Sequence, residues 1–362
     1  TTASSIAHID TQIATTTLGN ASRLRNLDPE QLSEASLVRD LIFVFQGIDG
    51  RFLKYNEVTS KYQLTSTSGI SAAAQQLVAR LSQLGVLYKK VQTYAEKPME
   101  ANSLSPALRA GTVEQSFQAA LRNELSDFYR LIAVLESQAH QPLPSANEGS
   151  SQYLSLRRLI VWTAEPLHRM SLMAQLVDAA YGTSGGALLT SLHKNCEHGD
   201  PFTSSFVAHI VKQASEPVFR MINRWIFHGE LEDAYGEFFI AVTEKVPDVE
   251  LWQRRYRLRS EMLPSFVDQD LAEVILRTGK SINFLRCCCH SEAWTDDLRY
   301  TFEAAATEQS AFTYGNIETL TEVVKNAAAH VGRKVTDTLM MDFNLKEHWR
   351  VCCTLSFTIV ER

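Results

Sequence analysis

The sequence predicts an all-α protein, an elongated stack of helical bundles with a non-helical or strand-like C-terminal tail. Three observations carry this. Apolar residues recur at three- and four-residue spacing in one segment after another, the signature of helices with buried faces. Short Pro-, Gly- and Asp-containing turns separate those segments. Almost no stretch before residue 350 alternates as a strand would, whereas Leu355, Phe357 and Ile359 alternate with Ser356 and Thr358.

Taken in order, residues 1–27 are rich in Thr, Ser and Ala and poor in large apolar residues, which predicts a flexible N-terminal tail. Asp28-Pro29-Glu30-Gln31 has the order of a capping box, with Pro at a first helical position. Leu32, Ala35, Val38, Ile42 and Phe45 then form one stripe and Leu37, Leu41 and Val44 a second. This helix is expected to be buried on two sides and to stop at Gly47.

A helix follows over about 71–94. Another starts at Thr112-Val113-Glu114-Gln115, read as a second capping box, and carries Phe117, Leu121, Leu125, Phe128, Ile132 and Leu135. A Pro/Ser/Gly/Asn loop is expected over roughly 139–152. Helices are predicted over 153–164, 167–181, 186–197, 201–215, 217–228, 249–261, 266–289 and 316–343. Pro166, Pro201 and Pro217 each follow an acidic residue and mark predicted helix starts. No fixed period recurs, so bundles are expected in preference to a regular repeat.

Composition narrows the function. The chain has 362 residues, 45% of them hydrophobic, enough for a substantial core. Its 35 basic and 41 acidic residues give −6, which argues against a nucleic-acid binder with a basic stripe. No apolar run approaches the roughly 18 residues of a membrane span. Of six Cys, five are adjacent pairs or triples (Cys287, Cys288, Cys289; Cys352, Cys353), an arrangement that suits reduced thiols in cytosol or nucleus.

Local chemical signatures are sparse. Thr278-Gly279-Lys280-Ser281 resembles the end of a phosphate-binding loop, but the position that needs the first Gly is Val274 and a helix precedes it. The plain alternative is a helical Gly approached closely by a neighbouring helix. His193, Cys196 and His198 have ligand-like spacing without a second pair, and Cys287 to His290 point in different directions around a helix. No nucleophile elbow or Cys/His signature stands out. We therefore expect no catalytic, cofactor-binding or metal-binding residues and no enzyme.

Trp225-Ile226-Phe227 and Tyr235-Gly236-Glu237-Phe238-Phe239 concentrate five large aromatics. They suit a helical core. They also suit an interface, where Trp and Tyr dominate hot spots. Trp225, Phe227, Tyr235 and Phe238 are the candidate anchors, acting at a surface or supporting it from beneath.

A resemblance adds to this reading. Leu41-Ile42-Phe43-Val44-Phe45-Gln46-Gly47-Ile48-Asp49-Gly50-Arg51 resembles the opening motif of gamma-tubulin complex components two and three. LRRLIVWTAEP at 156–166, GG at 185–186, GDP at 199–201 and RWIFHGELEDAYGEFF at 224–239 resemble the first of that family's two grip motifs. LWQRRYRLRSEMLPSF at 251–266 and TGKSINFLR at 278–286 are more similar to component three than to component two.

The resemblance covers about residues 31–350 and implies four parts. These are the tail at 1–27, an N-terminal helical-bundle domain with the first grip motif at 28–300, the beginning of a gamma-tubulin-binding region at 301–350, and a divergent tail at 351–362. It implies a scaffold subunit that contacts component two and other gamma-tubulin complex components side by side. It also implies a setting of cytoplasm, cytoskeleton, and centrosome or spindle pole, with roles in microtubule nucleation and mitosis.

Family members continue through a second grip motif. A chain this short is expected to make lateral contacts without holding gamma-tubulin directly. A truncated regulator occupying the lateral site, and an enzyme with a non-local site, stay open as alternatives.

Overall fold

A computed structural model of the chain describes residues 33–65, 70–97, 111–140, 154–243, 251–288 and 312–350. The N-terminal tail, the Asp28 box, the 141–152 part of the expected loop and the alternating stretch near 355–359 lie outside them. The described residues are dominated by helix, with two small antiparallel strand pairs, so the class is all-α. The chain divides into two compact units, residues 1–83 with 134–163 and residues 84–133 with 164–362.

In the first unit, helix α1 (Glu34–Phe45) is capped by Ser33, whose Oγ accepts from Ser36 N. Of the two predicted stripes, Leu37, Val38, Leu41, Ile42, Val44 and Phe45 are buried and Ala35 is half-buried, while Leu32 lies outside the described residues. Gly47 ends the helix at φ +72°. Its N–H donates to Val44 O at 2.9 Å and Ile48 N–H donates to Phe43 O at 3.1 Å, so both orphan carbonyls are satisfied in the Schellman arrangement. Strands β1 (Leu53–Asn56) and β2 (Lys61–Leu64) then pair, with Leu53 opposite Leu64 and Tyr55 opposite Tyr62. This hairpin departs from the expected absence of strands. Each strand is only 4 residues long and buries a single side chain, too short for a periodic signal.

Helices α2 (Ala72–Ala95), α3 (Thr112–Ala139) and α4 (Leu156–Ala180) come next. The second unit continues with α5 (Gly185–His193), a 3₁₀ turn at Lys194–Glu197, and α6 (Pro201–His228). Asp200 caps α6 through Thr203 N, with Pro201 in its first turn as predicted. Pro166 and Pro217, by contrast, start nothing. They lie inside α4 and α6, continuous helices of 25 and 28 residues. One missing backbone hydrogen bond is outweighed where flanking residues are buried, and around Pro217 these include Ala214, Ser215, Val218 and Phe219.

The helix expected over 249–261 is also replaced. The short α7 (Leu251–Arg254) precedes β4 (Tyr256–Leu258), which pairs with β3 (Ile240–Val242) in the register Ile240 to Leu258 and Val242 to Tyr256. A 3₁₀ turn at Ser260–Met262 comes after them. The reason is visible in Arg255-Tyr256-Arg257-Leu258-Arg259, where Tyr256 is buried and Arg257 exposed. That is strand alternation, hidden by apolar residues at helical spacing on either side. Helices α8 (Gln269–Cys288) and α9 (Ile317–Met341) complete the unit. Helix α6 packs on α5, α8 and α9, while Ile282 and Leu285 of α8 form a buried cluster with Val331.

Candidate protein interface

The aromatic segment is organised by the C-terminal end of α6 and the turn after it. Trp225 is fully buried. Its indole N–H donates to Ile275 O in α8 at 2.9 Å, and its ring meets Tyr256 edge-on at 4.8 Å. This approach is possible because Gly279 has no side chain; a Cβ there would overlap the indole. Thr278-Gly279-Lys280-Ser281 is therefore the close-approach site of a buried helix. Thr278 Oγ1 is turned back onto Val274 O at 2.8 Å.

The end of α6 is held by polar groups from α8. Gly229 adopts φ +64° and its N–H closes onto Trp225 O. Asn283 Nδ2 donates to Gly229 O at 2.7 Å, and Arg286 Nη1 donates to His228 O at 3.4 Å. The chain then turns on Asp233, which accepts from Glu237 N at 2.8 Å and Phe238 N at 2.9 Å. Arg259 Nη2 bonds Asp233 Oδ2 at 3.2 Å and also donates to Phe238 O.

Glu237 is the pivot of this turn. It is buried, and its Oε2 accepts from Thr112 Oγ1 at 2.7 Å and Val113 N at 3.1 Å. A carboxylate from more than a hundred residues away thus caps α3. Thr112 is the first helical residue and not the capping residue, so the local capping box gives way to a tertiary one. Burial raises the Glu237 carboxyl above its ordinary value, opposed by the hydrogen bonds from Thr112 and Val113.

The backbone of Glu237 also lies against α5. Gly186 N donates to Glu237 O at 3.3 Å, and a Cβ at Gly185, where φ is +55°, would come within 2.8 Å of Glu237 Cα. The Gly185-Gly186 pair is required by this contact and by the approach of Met262 O to Gly186.

The four candidate anchors therefore differ. Trp225 and Phe238 are fully buried and offer no side-chain surface in this structure. Phe227 is half-buried and meets Phe312 edge-on at 6.0 Å. Tyr235 is 43% exposed. Trp252 and Tyr181 in the same unit are likewise exposed. In the first unit Val161 and Trp162 are exposed side by side on α4.

The first unit uses a similar polar device, which sequence reasoning missed. Asp40 is buried within α1, and its carboxylate accepts from Arg51 N at 2.6 Å, Phe52 N at 2.9 Å and Leu53 N at 2.8 Å. The signal was an acidic residue three after Leu37 and four before Val44, inside the apolar stripe. For Glu237 it was one carboxylate set among Phe238, Phe239 and Ile240.

The His193, Cys196 and His198 spacing does not assemble a metal site. His193 Nδ1 is hydrogen-bonded to the Tyr314 hydroxyl at 2.7 Å. Among the described residues no three His, Cys, Asp or Glu side chains converge as metal ligands. None of the described helices is long and apolar enough to cross a membrane.

Residues 38–341 match the family described as Gamma tubulin complex component N-terminal. This chain belongs to the gamma-tubulin complex component family. It is 41% identical over 325 residues to gamma-tubulin complex component 3 of Arabidopsis thaliana, covering 89% of this chain and 38% of that protein. It is 37% identical over 321 residues to gamma-tubulin complex component 3 of Homo sapiens, covering 88% and 35%. Spindle pole body component 98 of Dictyostelium discoideum is 29% identical over 316 residues, covering 75% and 38%. The chain thus spans less than two fifths of the length of each of these relatives. Within the gamma-tubulin complex component N-terminal region, the Glu237 turn and Trp225 fall in the 224–239 stretch that resembles the first grip motif. Gly279, on which Trp225 packs, falls in the 278–286 stretch that resembles component three.

Proposed function

We propose that this chain is a scaffold segment of a gamma-tubulin complex subunit, making lateral contacts with a sister component and so supporting microtubule nucleation and spindle-pole organisation. The observation that carries the reading is its membership of the gamma-tubulin complex component family across residues 38–341. The setting proposed is the cytoskeleton at a centrosome or spindle pole, in line with relatives named as spindle pole body components. The role is mechanical and not enzymatic.

The mechanism rests on rigidity. A scaffold must hold its neighbours at fixed spacing, which requires a surface whose shape does not relax. The buried Trp225 and Phe238, the Glu237 cap and the Asn283 bridge stiffen the region from beneath. Exposed Tyr235 and the exposed aromatics elsewhere are where contact is made. A specific interface of this kind buries on the order of 1,600 Å² in total.

The test is side-by-side capture of purified component two and purified gamma-tubulin on the immobilised chain. Retention of component two without gamma-tubulin supports lateral contact. Retention of neither, by a chain shown to be folded, rejects it.

A further inference from the structure

We propose that Tyr235 is a phosphorylation site for an acid-directed tyrosine kinase, and that the Glu237 cap on α3 controls access to it. Tyrosine kinases bind the acceptor segment extended, with a basic groove for acidic residues before the tyrosine and an apolar pocket for the third residue after it. Here Glu232 and Asp233 lie three and two residues before Tyr235, Gly236 comes directly after it, and Phe238 is the third residue after. The Tyr235 ring is exposed, and no hydrogen bond from its hydroxyl occurs among the described residues.

The same geometry withholds part of the recognition sequence. Phe238 is fully buried, Asp233 is bonded to Arg259, and Glu237 is fixed at the start of α3. The phenol is therefore on the surface while the residues after it are locked. A kinase can read them only when Glu237 leaves Val113 and the turn opens. Opening breaks the Asp233 and Glu237 hydrogen bonds, the Arg259 bond to Phe238 O and the backbone contact with Gly185 and Gly186, and it withdraws the Phe238 ring from the core.

In the reaction the tyrosine oxygen forms a bond to the γ-phosphorus of ATP and the bond to the bridging oxygen of ADP breaks. The phenolic proton passes to the kinase's base. The product adds about −1.5 to −2 charges. It does so two residues from Asp233, whose carboxylate holds the turn by accepting from Glu237 N and Phe238 N. Repulsion between the phosphate and that carboxylate would then favour the open turn. This inference rests on the turn's geometry and not on the lateral-contact reading.

The experiment treats the chain with the catalytic domain of an acid-directed non-receptor tyrosine kinase, ATP and Mg²⁺, and measures phosphate at each tyrosine by peptide mass spectrometry. Tyr181 is the internal reference. It is exposed, with Asp178 before it and Gly182 after it, but lacks an aromatic third residue. Two variants, Glu237→Ala and Gly185→Ala, weaken the lock by different routes, and thermal melts establish that each is folded at the assay temperature. The expected result is labelling of Tyr235 in the parent chain, rising by roughly fivefold in the variants, the factor by which loss of a helix cap shifts a local opening. Tyr181 labelling is expected to stay constant. Absence of phosphate at Tyr235 in all three proteins overturns the site. Equal Tyr235 rates, or a rise shared by Tyr181, overturn the gate.

Discussion

The indole of Trp225 occupies the space that a side chain at Gly279 would need, and its N–H bonds the Ile275 carbonyl one helical turn earlier. Gly279→Ala forces the ring or the helix to move. Overpacking of this kind costs about 1–3 kcal/mol, measurable as a lower midpoint in urea with an unchanged slope. Tolerance of Ala without loss would show that α6 and α8 are not in contact there in solution.

Trp225→Ala is expected to be worse, by about 3–5 kcal/mol, because it opens a cavity beneath the aromatic segment and leaves Ile275 O without the indole donor. Tyr235→Ala, at an exposed position, is expected to change stability by no more than about 0.5 kcal/mol. If Tyr235 is an anchor, its truncation weakens capture of component two by about 2 kcal/mol. Trp225→Ala is expected to leave affinity unchanged in its folded fraction. The reverse pattern would assign contact to Trp225.

Removing the Glu237 carboxylate leaves Val113 N–H buried without its acceptor. Glu237→Ala should therefore cost about 1–3 kcal/mol, and Glu237→Gln less, since the amide oxygen still accepts. Amide exchange at 112–115 should quicken in both variants, and more in the Ala variant.

The pH dependence has a definite sign. The Glu237 carboxyl lies above its ordinary 4.5 in the folded chain, with burial as the main cause. The folded state therefore holds this proton at pH values where the unfolded state has released it. Stability from this group is present below 4.5 and falls as pH rises through the window above it. Glu237→Gln, having no proton to lose, should flatten that part of the stability profile. Parallel profiles for parent and variant as pH rises above 4.5 would refute the assignment.

Asp40 closes the loop between α1 and β1 by accepting three backbone N–H groups. Asp40→Ala orphans all three and should cost about 1–3 kcal/mol per group left buried and unsatisfied, less what water recovers at the two nearer the surface. Hydrogen exchange localised to residues 50–65 is the direct readout.

The helices were legible because their information is local. The buried residues of α1 from Leu37 onward, the stop at Gly47, the span of α2 and the C-terminal end of α8 come from apolar spacing and from the one residue that tolerates positive φ. The strand at Tyr256–Leu258 carried its own alternation, but Trp252 and Leu263 at helical spacing masked it. Pro166 and Pro217 were misleading for the opposite reason: their local preference is real, and burial around them overrides it.

By itself the sequence determined the helical class, the stop at Gly47, the start at Asp200-Pro201, and the stretches that resemble the gamma-tubulin complex component family. Only the tertiary structure decided that Trp225 and Phe238 are core while Tyr235 is surface, and that Glu237 caps a helix beginning at Thr112. Spacing records which residues share a helical face. It does not record which face meets another element, because burial and long-range hydrogen bonds depend on residues a hundred positions away that only folding brings together.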